Sequence, residues 1–349
     1  MTRCYVQALG IVSALGEGVA ATRAAVMRGD TRGMRIERDW LPQGESCVGR
    51  VTTELAPLPA QFAEDDCRNN RLLAAALRQI DAEVEKAKEQ WGAHRVAVVI
   101  GTSTSGIAAG EAAMAAKLKR GEFPPGFFYR QQEIGATGPF AARLAGAAGP
   151  AYTISTACTS GAKALIAARR LLALELCDVA LAGGVDTLCR LTVCGFTALE
   201  SADAYHLSAP DPAGTAPEAA MRQALAEAGA APRDIRYVNL HATATQKNDE
   251  MESRVMARLF PPETPMSGTK PLTGHALGAA GALEAAFCWL ALTGEGALPP
   301  HVWDGEADPA LPRLALVERG AMLPNGSGRL VMSNSFAFGG SNASLIFAD

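Results

Sequence analysis

The chain has 349 residues, 48% hydrophobic and 19% charged, which is ample material for one large body or two ordinary domains and little for a disordered tail. Its 32 Lys and Arg stand against 36 Asp and Glu, a formal charge of −4 with no long basic run, so nucleic acid is excluded as an expected partner. Aromatic residues reach only 6% beside 35 glycines, a composition suited to closely packed helix-on-sheet layers.

The first residues, Met1 to Tyr5, lack the basic segment, apolar core and small-residue cleavage site of a signal peptide. The longest apolar run, 277–293, is interrupted by Glu284 and is short for a membrane crossing. Eight cysteines, at 4, 47, 67, 158, 177, 189, 194 and 288, show no C-x-x-C spacing. They are expected to be reduced thiols of a cytoplasmic protein, with no metal site.

In chain order, residues 5–15 (YVQALGIVSAL) are apolar and Gly-broken, which predicts a buried strand leading into a loop. Residues 70–88 have helical spacing, with Leu72, Leu73, Ala76, Leu77 and Ile80 on one face. The β-branched run 95–100 predicts a strand ending in the small-residue loop 101–106. Residues 152–156 repeat that arrangement: a short strand, then Cys158, then a helix over 161–174. Another strand is expected at 178–182, ended by Gly183-Gly184. The later series holds a helix over 216–228, a strand over 235–240 ending at His241, a helix over 277–292, and a strand pair at 329–334 and 344–347. Strands alternating with helices indicate an α/β layered fold. Both halves open on related β-α-β material, consistent with an internal duplication in one compact body.

Four segments could carry chemistry. In 155–161 (STACTSG), Cys158 lies at a strand-to-helix turn, where helix N–H groups favour a thiolate and lower its pKa. Taken alone, such a cysteine is more often inert packing. In 239–245 (NLHATAT) a strand end delivers His241 among small hydroxyl residues. In 268–275 (GTKPLTGH) His275 precedes a Gly/Ala-rich helix bearing Glu284. Lone histidines are mostly structural, yet these two of only five share one kind of context. The fourth, 333–342 (SNSFAFGGSN), reads first as a hairpin turn, and its paired glycines would also let backbone N–H groups approach a ligand.

Together these segments, TACTS, HATAT, TKPLTGHALGAAG and NSFAFGGSN in that order, resemble the β-ketoacyl-acyl-carrier-protein synthases of the thiolase superfamily. The two histidines resemble the elongating, Cys-His-His type. The resemblance implies a thiolase-like α/β fold, two pseudo-duplicated β-α-β halves packed as α-β-α-β-α layers. Cys158 would fall in an N-terminal half, 1–200, and His241 with His275 in a C-terminal half, 201–349. It implies that Cys158 takes an acyl chain from a carrier-protein phosphopantetheine thioester. A malonyl-type extender then loses CO₂, with its enolate stabilised by His241 and His275. Lys270 matches the family lysine near the second histidine, and Glu284 the glutamate supporting it. The backbone N–H groups of Cys158 and Phe338 would form an oxyanion hole, with Phe338 as an aromatic gate. Thr243, Thr245 and Asp249 would line the pantetheine channel and brace the site, with Phe336 and Gly339 beside the substrate. Arg68 and Arg71 would face an acidic carrier protein. No bound cofactor is implied beyond the carrier's phosphopantetheine, and the partner would be a second ketosynthase-like subunit, as a homodimer or a heterodimer. The stretch AYTISTACTSGAKAL also resembles synthases of secondary pathways such as aryl polyenes.

Two departures stand out. Ala242 replaces the glycine usual in the HGTxT loop, at a cost of about 1 kcal/mol if φ there is positive. Several dozen residues usual between the GGxD strand and the SDAYH-like segment are missing, since 183–186 runs almost directly into 201–206. The second half is therefore expected to be shortened, with core strands lost and exposed strand edges. Two functional classes remain: an active condensing enzyme, favoured by the retained Cys158, His241 and His275, and a non-catalytic chain-length-factor-like partner of an active ketosynthase.

Overall fold

The computed structural model describes residues 3–198, 211–324, 326–337 and 339–349. After the helix Val19–Met27 and two short hairpins come α1 (Arg68–Arg78), α2 (Asp81–Trp91), β1 (Val96–Gly101), α3 (Ile107–Arg120) and α4 (Thr137–Ala145). They are followed by β2 (Ala151–Ile154), α5 (Ser160–Ala173), β3 (Val179–Gly184) and α6 (Arg190–Ala198). The later series is α7 (Thr215–Ala228), β4 (Ile235–Leu240), α8 (Gln246–Leu259), β5 (Pro265–Gly268), α9 (Ala280–Thr293), β6 (Ala315–Leu316), β7 (Leu330–Ala337) and β8 (Ser341–Ala348).

Two sheets result. The first is parallel, in the order β2-β1-β3. The second runs β6-β5-β4-β7-β8, parallel except for the final antiparallel hairpin β7–β8. Helices α5 and α9 touch each other and lie between the sheets, α5 against β1, β3 and β8, and α9 against β7, β8 and β3. On β1, Val96, Val98 and Ile100 join the cluster with Leu72, Leu73 and Phe140. Ala97 and Val99 face the other way, onto Ala164 and Leu171 of α5. A strand buried on both faces this way reads as a continuous apolar run, as the sequence of β1 does. In the second sheet, Val238, Leu240 and Met332 pack against Met251, Val255 and Met256 of α8. The molecule is a mixed α/β, thiolase-like fold, with helix pairs between and outside two largely parallel sheets.

Three expectations are corrected. Residues 3–11 form no strand: Tyr5 is 75% and Val6 48% exposed, and among the described residues no strand lies alongside to pair with them. An apolar sequence makes a strand only when a neighbour supplies the ladder. The helix expected over 70–88 is two helices broken at Ile80, whose φ is −123°. There the Gln79 side chain exchanges hydrogen bonds with the backbone of Ile11, at 3.0 and 3.1 Å. Finally, the second half, expected to be shortened, holds the larger sheet, and the first half holds the smaller. Among the described residues that sheet has three strands, while the second half has five. The segment 201–206, on which the missing stretch was located, lies outside the described residues.

Candidate active site

Cys158 sits in the turn between β2 and α5. The residue before it, Ala157, has φ +50°, a left-handed conformation costing roughly 1 kcal/mol or more for a residue with a Cβ. The turn is held in place by its carbonyl: Ala157 O accepts hydrogen bonds from Ser160 Oγ at 2.7 Å and from Ser103 Oγ at 3.0 Å. Cys158 Sγ lies 3.0 Å from His275 Nε2. The side chain is 2% exposed, and that burial pushes the thiol up to about 12, although the Lys270 charge pulls the other way. A thiolate favoured by the helix end is therefore not the resting state. Desolvation outweighs it, and Cys158 rests as a neutral thiol.

His241 leaves the end of β4 into a loop bound by one buried carboxylate. Glu252 Oε1 accepts from His241 N–H at 2.7 Å and Oε2 from Ala242 N–H at 2.8 Å. Ala242 does take a positive φ, +39°, and Ala244 another, +58°. The Ala242 methyl fits because its neighbour is glycine: a Cβ on Gly268 would lie 2.4 Å from it. Lys270 reaches back from the start of the next segment. Its Nζ lies 3.4 Å from His241 Nδ1, donates to the His241 carbonyl, and pairs with Glu284 at 2.5 Å. An ammonium has donors only, so Nδ1 is the acceptor and the imidazole proton sits on Nε2. Burial, then Lys270 and His275, holds His241 well below the ordinary histidine value; burial, then Lys270, does the same to His275. Both rings are neutral at pH 7. Burial raises Glu284 to about 7 against the pull of Lys270.

The ligand atoms of Cys158, His241 and His275 all lie within 4.8 Å of one another. The two imidazoles meet edge to face at 5.5 Å, and Phe336 stands against His241 at 5.7 Å. Among the described residues this trio is also the only cluster of such atoms close enough to share a metal ion, and the Lys270 cation beside it opposes one. The trio faces an open cavity of about 3370 Å³, also lined by Thr243, Thr245 and Phe336.

The other sequence candidates are placed as follows. Thr243 and Thr245 bond to each other at 3.0 Å at the cavity wall. Asp249 is in the first turn of α8 and does not line the cavity; its neighbour Asn248 does. Gly339 has φ +79° in the β7–β8 turn and is likewise outside the lining. Phe338 lies outside the described residues. Arg71 is bound bidentately by Asp66, at 2.5 and 2.7 Å, while Arg68 donates to the Val51 carbonyl at 3.0 Å. Among the described residues none of the eight cysteines forms a disulfide.

Two carboxylates escaped the sequence reading. Glu252 is one; its signal was a charge on the helical face shared by Val255, Met256 and Leu259, all buried. The other is Asp186, just beyond β3. It accepts from Thr102 Oγ1, the N–H groups of Ser103, Thr104 and Gly278, and Thr104 Oγ1. Burial raises its pKa although these donors oppose the shift.

Comparison with known proteins agrees with this architecture. Residues 70–220 match the Beta-ketoacyl synthase, N-terminal domain, and residues 191–303 the Beta-ketoacyl synthase, C-terminal domain. Nodulation protein E of Rhizobium sp. (strain N33) is 30% identical over 367 residues, covering 86% of this chain and 88% of that protein. That alignment is longer than the whole chain of 349 residues, so the relative holds a stretch this chain lacks. The mitochondrial 3-oxoacyl-[acyl-carrier-protein] synthase of Arabidopsis thaliana is 40% identical over 163 residues, 45% of this chain but only 34% of the plant protein. Among solved structures, a chain of the ketosynthase (ApeO) in complex with its chain length factor (ApeC) from Xenorhabdus doucetiae superposes with a TM-score of 0.92. It is 39% identical, with 99% of this chain and 97% of that one covered. No helix among the described residues is long and apolar enough to cross a membrane. With domain models that together span residues 70–303 and a relative aligned over most of its length, the chain belongs to the β-ketoacyl synthase family.

Proposed function

We propose that this chain is a β-ketoacyl-acyl-carrier-protein synthase, condensing a carrier-bound malonyl unit onto an acyl chain held as a thioester on Cys158. The observation that carries the reading is the convergence of one buried thiol and two neutral imidazoles within 4.8 Å. In the first step the Cys158 sulfur attacks the acyl carbonyl of the carrier thioester. Its proton passes to His275 Nε2, 3.0 Å away, and on to the departing pantetheine sulfur as that C–S bond breaks. Sequential transfer through a neutral ring suits a thiol that is not ionised at rest.

In the second step the malonyl carboxylate leaves as CO₂, and the electron pair of the broken C–C bond moves into an enolate. His241 donates Nε2–H to the enolate oxygen, with His275 beside it. Lys270 fixes that tautomer from behind, and Glu252 fixes the loop. The enolate carbon then attacks the Cys158 thioester, the C–S bond breaks, and the sulfur leaves as a thiolate that takes a proton from solvent, since its own departed with the pantetheine thiol. Phosphopantetheine supplies only the tether and thioester. The carrier protein and a second ketosynthase-like subunit are the partners this reading requires; exposed Met114 and Leu118 on α3 offer apolar surface to such a subunit.

Similarity to a chain from a ketosynthase–chain length factor complex keeps the non-catalytic partner role as a second reading. Incubation with an acyl-loaded carrier protein separates the two by intact mass. Acyl transfer to the protein that disappears in Cys158→Ala is the expected result. A folded protein that takes up no acyl group of any length is the chain-length-factor outcome, and it would remove the enzyme reading.

A further inference from the structure

We infer that Asp186 is a positioning residue whose one carboxylate sets the distance between Cys158 and His275. The inference rests on the condensing reading only for its rate measurements; the geometry stands without it.

The connection can be followed atom by atom. On the nucleophile side, Asp186 receives the Ser103 N–H at 2.9 and 3.0 Å, and Ser103 Oγ donates to the carbonyl of Ala157, the residue before Cys158. On the histidine side, Asp186 Oδ2 receives the N–H of Gly278 at 2.6 Å, three residues after His275. Three further donors, Thr102 Oγ1 at 2.5 Å, Thr104 N–H at 2.8 Å and Thr104 Oγ1 at 2.9 Å, fix the carboxylate itself. Asp186 comes two residues after a strand that is hydrogen-bonded along β1, so its backbone is a rigid mount. One group thus refers segments 82 and 92 residues away in sequence to the same point.

The packing shows that this contact is tight. A Cβ on Gly278 would lie 2.6 Å from Ser103 Oγ and 2.7 Å from both Asp186 Oδ2 and Ser103 N. No side chain fits on Gly278, so the separation is set by its backbone, the Asp186 carboxylate and Ser103. The residues flanking the reacting groups also carry strain: Ala157 at φ +50° and Leu277 at φ +48° are both non-glycine residues in the left-handed region. Such conformations persist only where surrounding contacts over-determine them. Here each strained residue adjoins a segment that ends on Asp186, directly or through Ser103. A burial or folding role for the carboxylate would not require it to join these two segments in particular.

Three substitutions in the full chain test the assignment: Asp186→Ala, Asp186→Asn and Gly278→Ala. The first readout is NMR of protein carrying ¹⁵N-histidine. The chain has five histidines, and His275 is assigned by its loss in His275→Ala. In Asp186→Ala and Gly278→Ala the His275 Nε2 resonance should move toward that of an imidazole without a thiol neighbour, while His94 and His301 stay in place. The second readout is acyl transfer to Cys158, expected to fall about 10²-fold in Asp186→Ala, the scale of a misplacement near 1 Å. Iodoacetamide labelling of Cys158, which needs no histidine geometry, should change far less. Asp186→Asn keeps an oxygen acceptor and should recover about tenfold of the lost rate.

Unchanged His275 resonances in both Asp186→Ala and Gly278→Ala would overturn the proposal. So would labelling and transfer that fall together with the folded fraction, or an Asn variant no better than Ala. Should Asp186→Ala not fold, Gly278→Ala retains every acceptor and decides by the same resonances. A wild-type protein that takes up no acyl group would instead remove the enzymatic reading, and the resonance shifts would still decide on Asp186.

Discussion

The two sides of the site are held by different kinds of force. The cysteine side stands on the three-stranded sheet and is touched directly only by hydroxyl donors, Ser103 and Ser160 on a strained turn, with the Asp186 carboxylate one step behind Ser103. The histidine side stands on the five-stranded sheet and is fixed by buried charge: Glu252 under the loop, and Lys270 paired with Glu284 behind the ring. Buried charges are costly unless well paired, and here they occur where the sheet is widest and the packing deepest. The arrangement also separates tasks. Ion pairing and carboxylate contacts fix the histidine that meets a developing enolate, while burial keeps the thiol protonated until substrate arrives.

The largest test of that division is removal of either ring. His241→Ala and His275→Ala should each lower malonyl decarboxylation by about 10²–10³-fold, followed as CO₂ release. Losses under tenfold would mean the enolate is stabilised elsewhere. Next is the state of the sulfur. Because burial raises the Cys158 thiol to about 12, the thiolate is scarce at neutral pH and grows with alkalinity. Labelling by iodoacetamide should climb about tenfold per pH unit from about pH 7 to about pH 10. A plateau near about pH 8 would show an ordinary thiol and erase the contrast between the two sides.

Stability offers a smaller and independent check. Met332 is wholly buried on β7, a strand of the five-stranded sheet paired on both sides, whereas Leu181 lies on a strand that, among the described residues, pairs on one side only. Met332→Ala should cost about 2–5 kcal/mol and Leu181→Ala the lower end of that range or less, read from urea midpoints. Equal costs would mean that both sheets are supported alike. The smallest effect is at Ala242, whose φ of +39° suits glycine. Ala242→Gly should stabilise by no more than about 1 kcal/mol, and a destabilised variant would show that the methyl packing against Gly268 outweighs the relieved backbone.

Much of this was legible in the chain itself. The strand at 235–240 has the expected bounds, and the helices beginning at Ser160 and Thr215 start within a residue of expectation. Local periodicity suffices where a segment carries its own partner or buries a full face. It fails at 3–11, because a ladder needs a neighbour that no local pattern reveals. It fails also at Gln79, where a side chain leaves its helix to meet the backbone of Ile11. The motif residues were visible because their spacing is short. Glu252 and Asp186 were not, because each binds backbone N–H groups brought to it by the fold: Glu252 those of His241 and Ala242, eleven and ten residues earlier, and Asp186 donors as far as 92 residues away.

The protonated, enclosed state of Cys158 bears on oxidative damage. Peroxide attacks thiolates that solvent can reach, and this sulfur offers neither charge nor access at rest. Cys4 and Cys47, by contrast, are exposed. Under peroxide those two exposed thiols are expected to oxidise before the buried acyl acceptor.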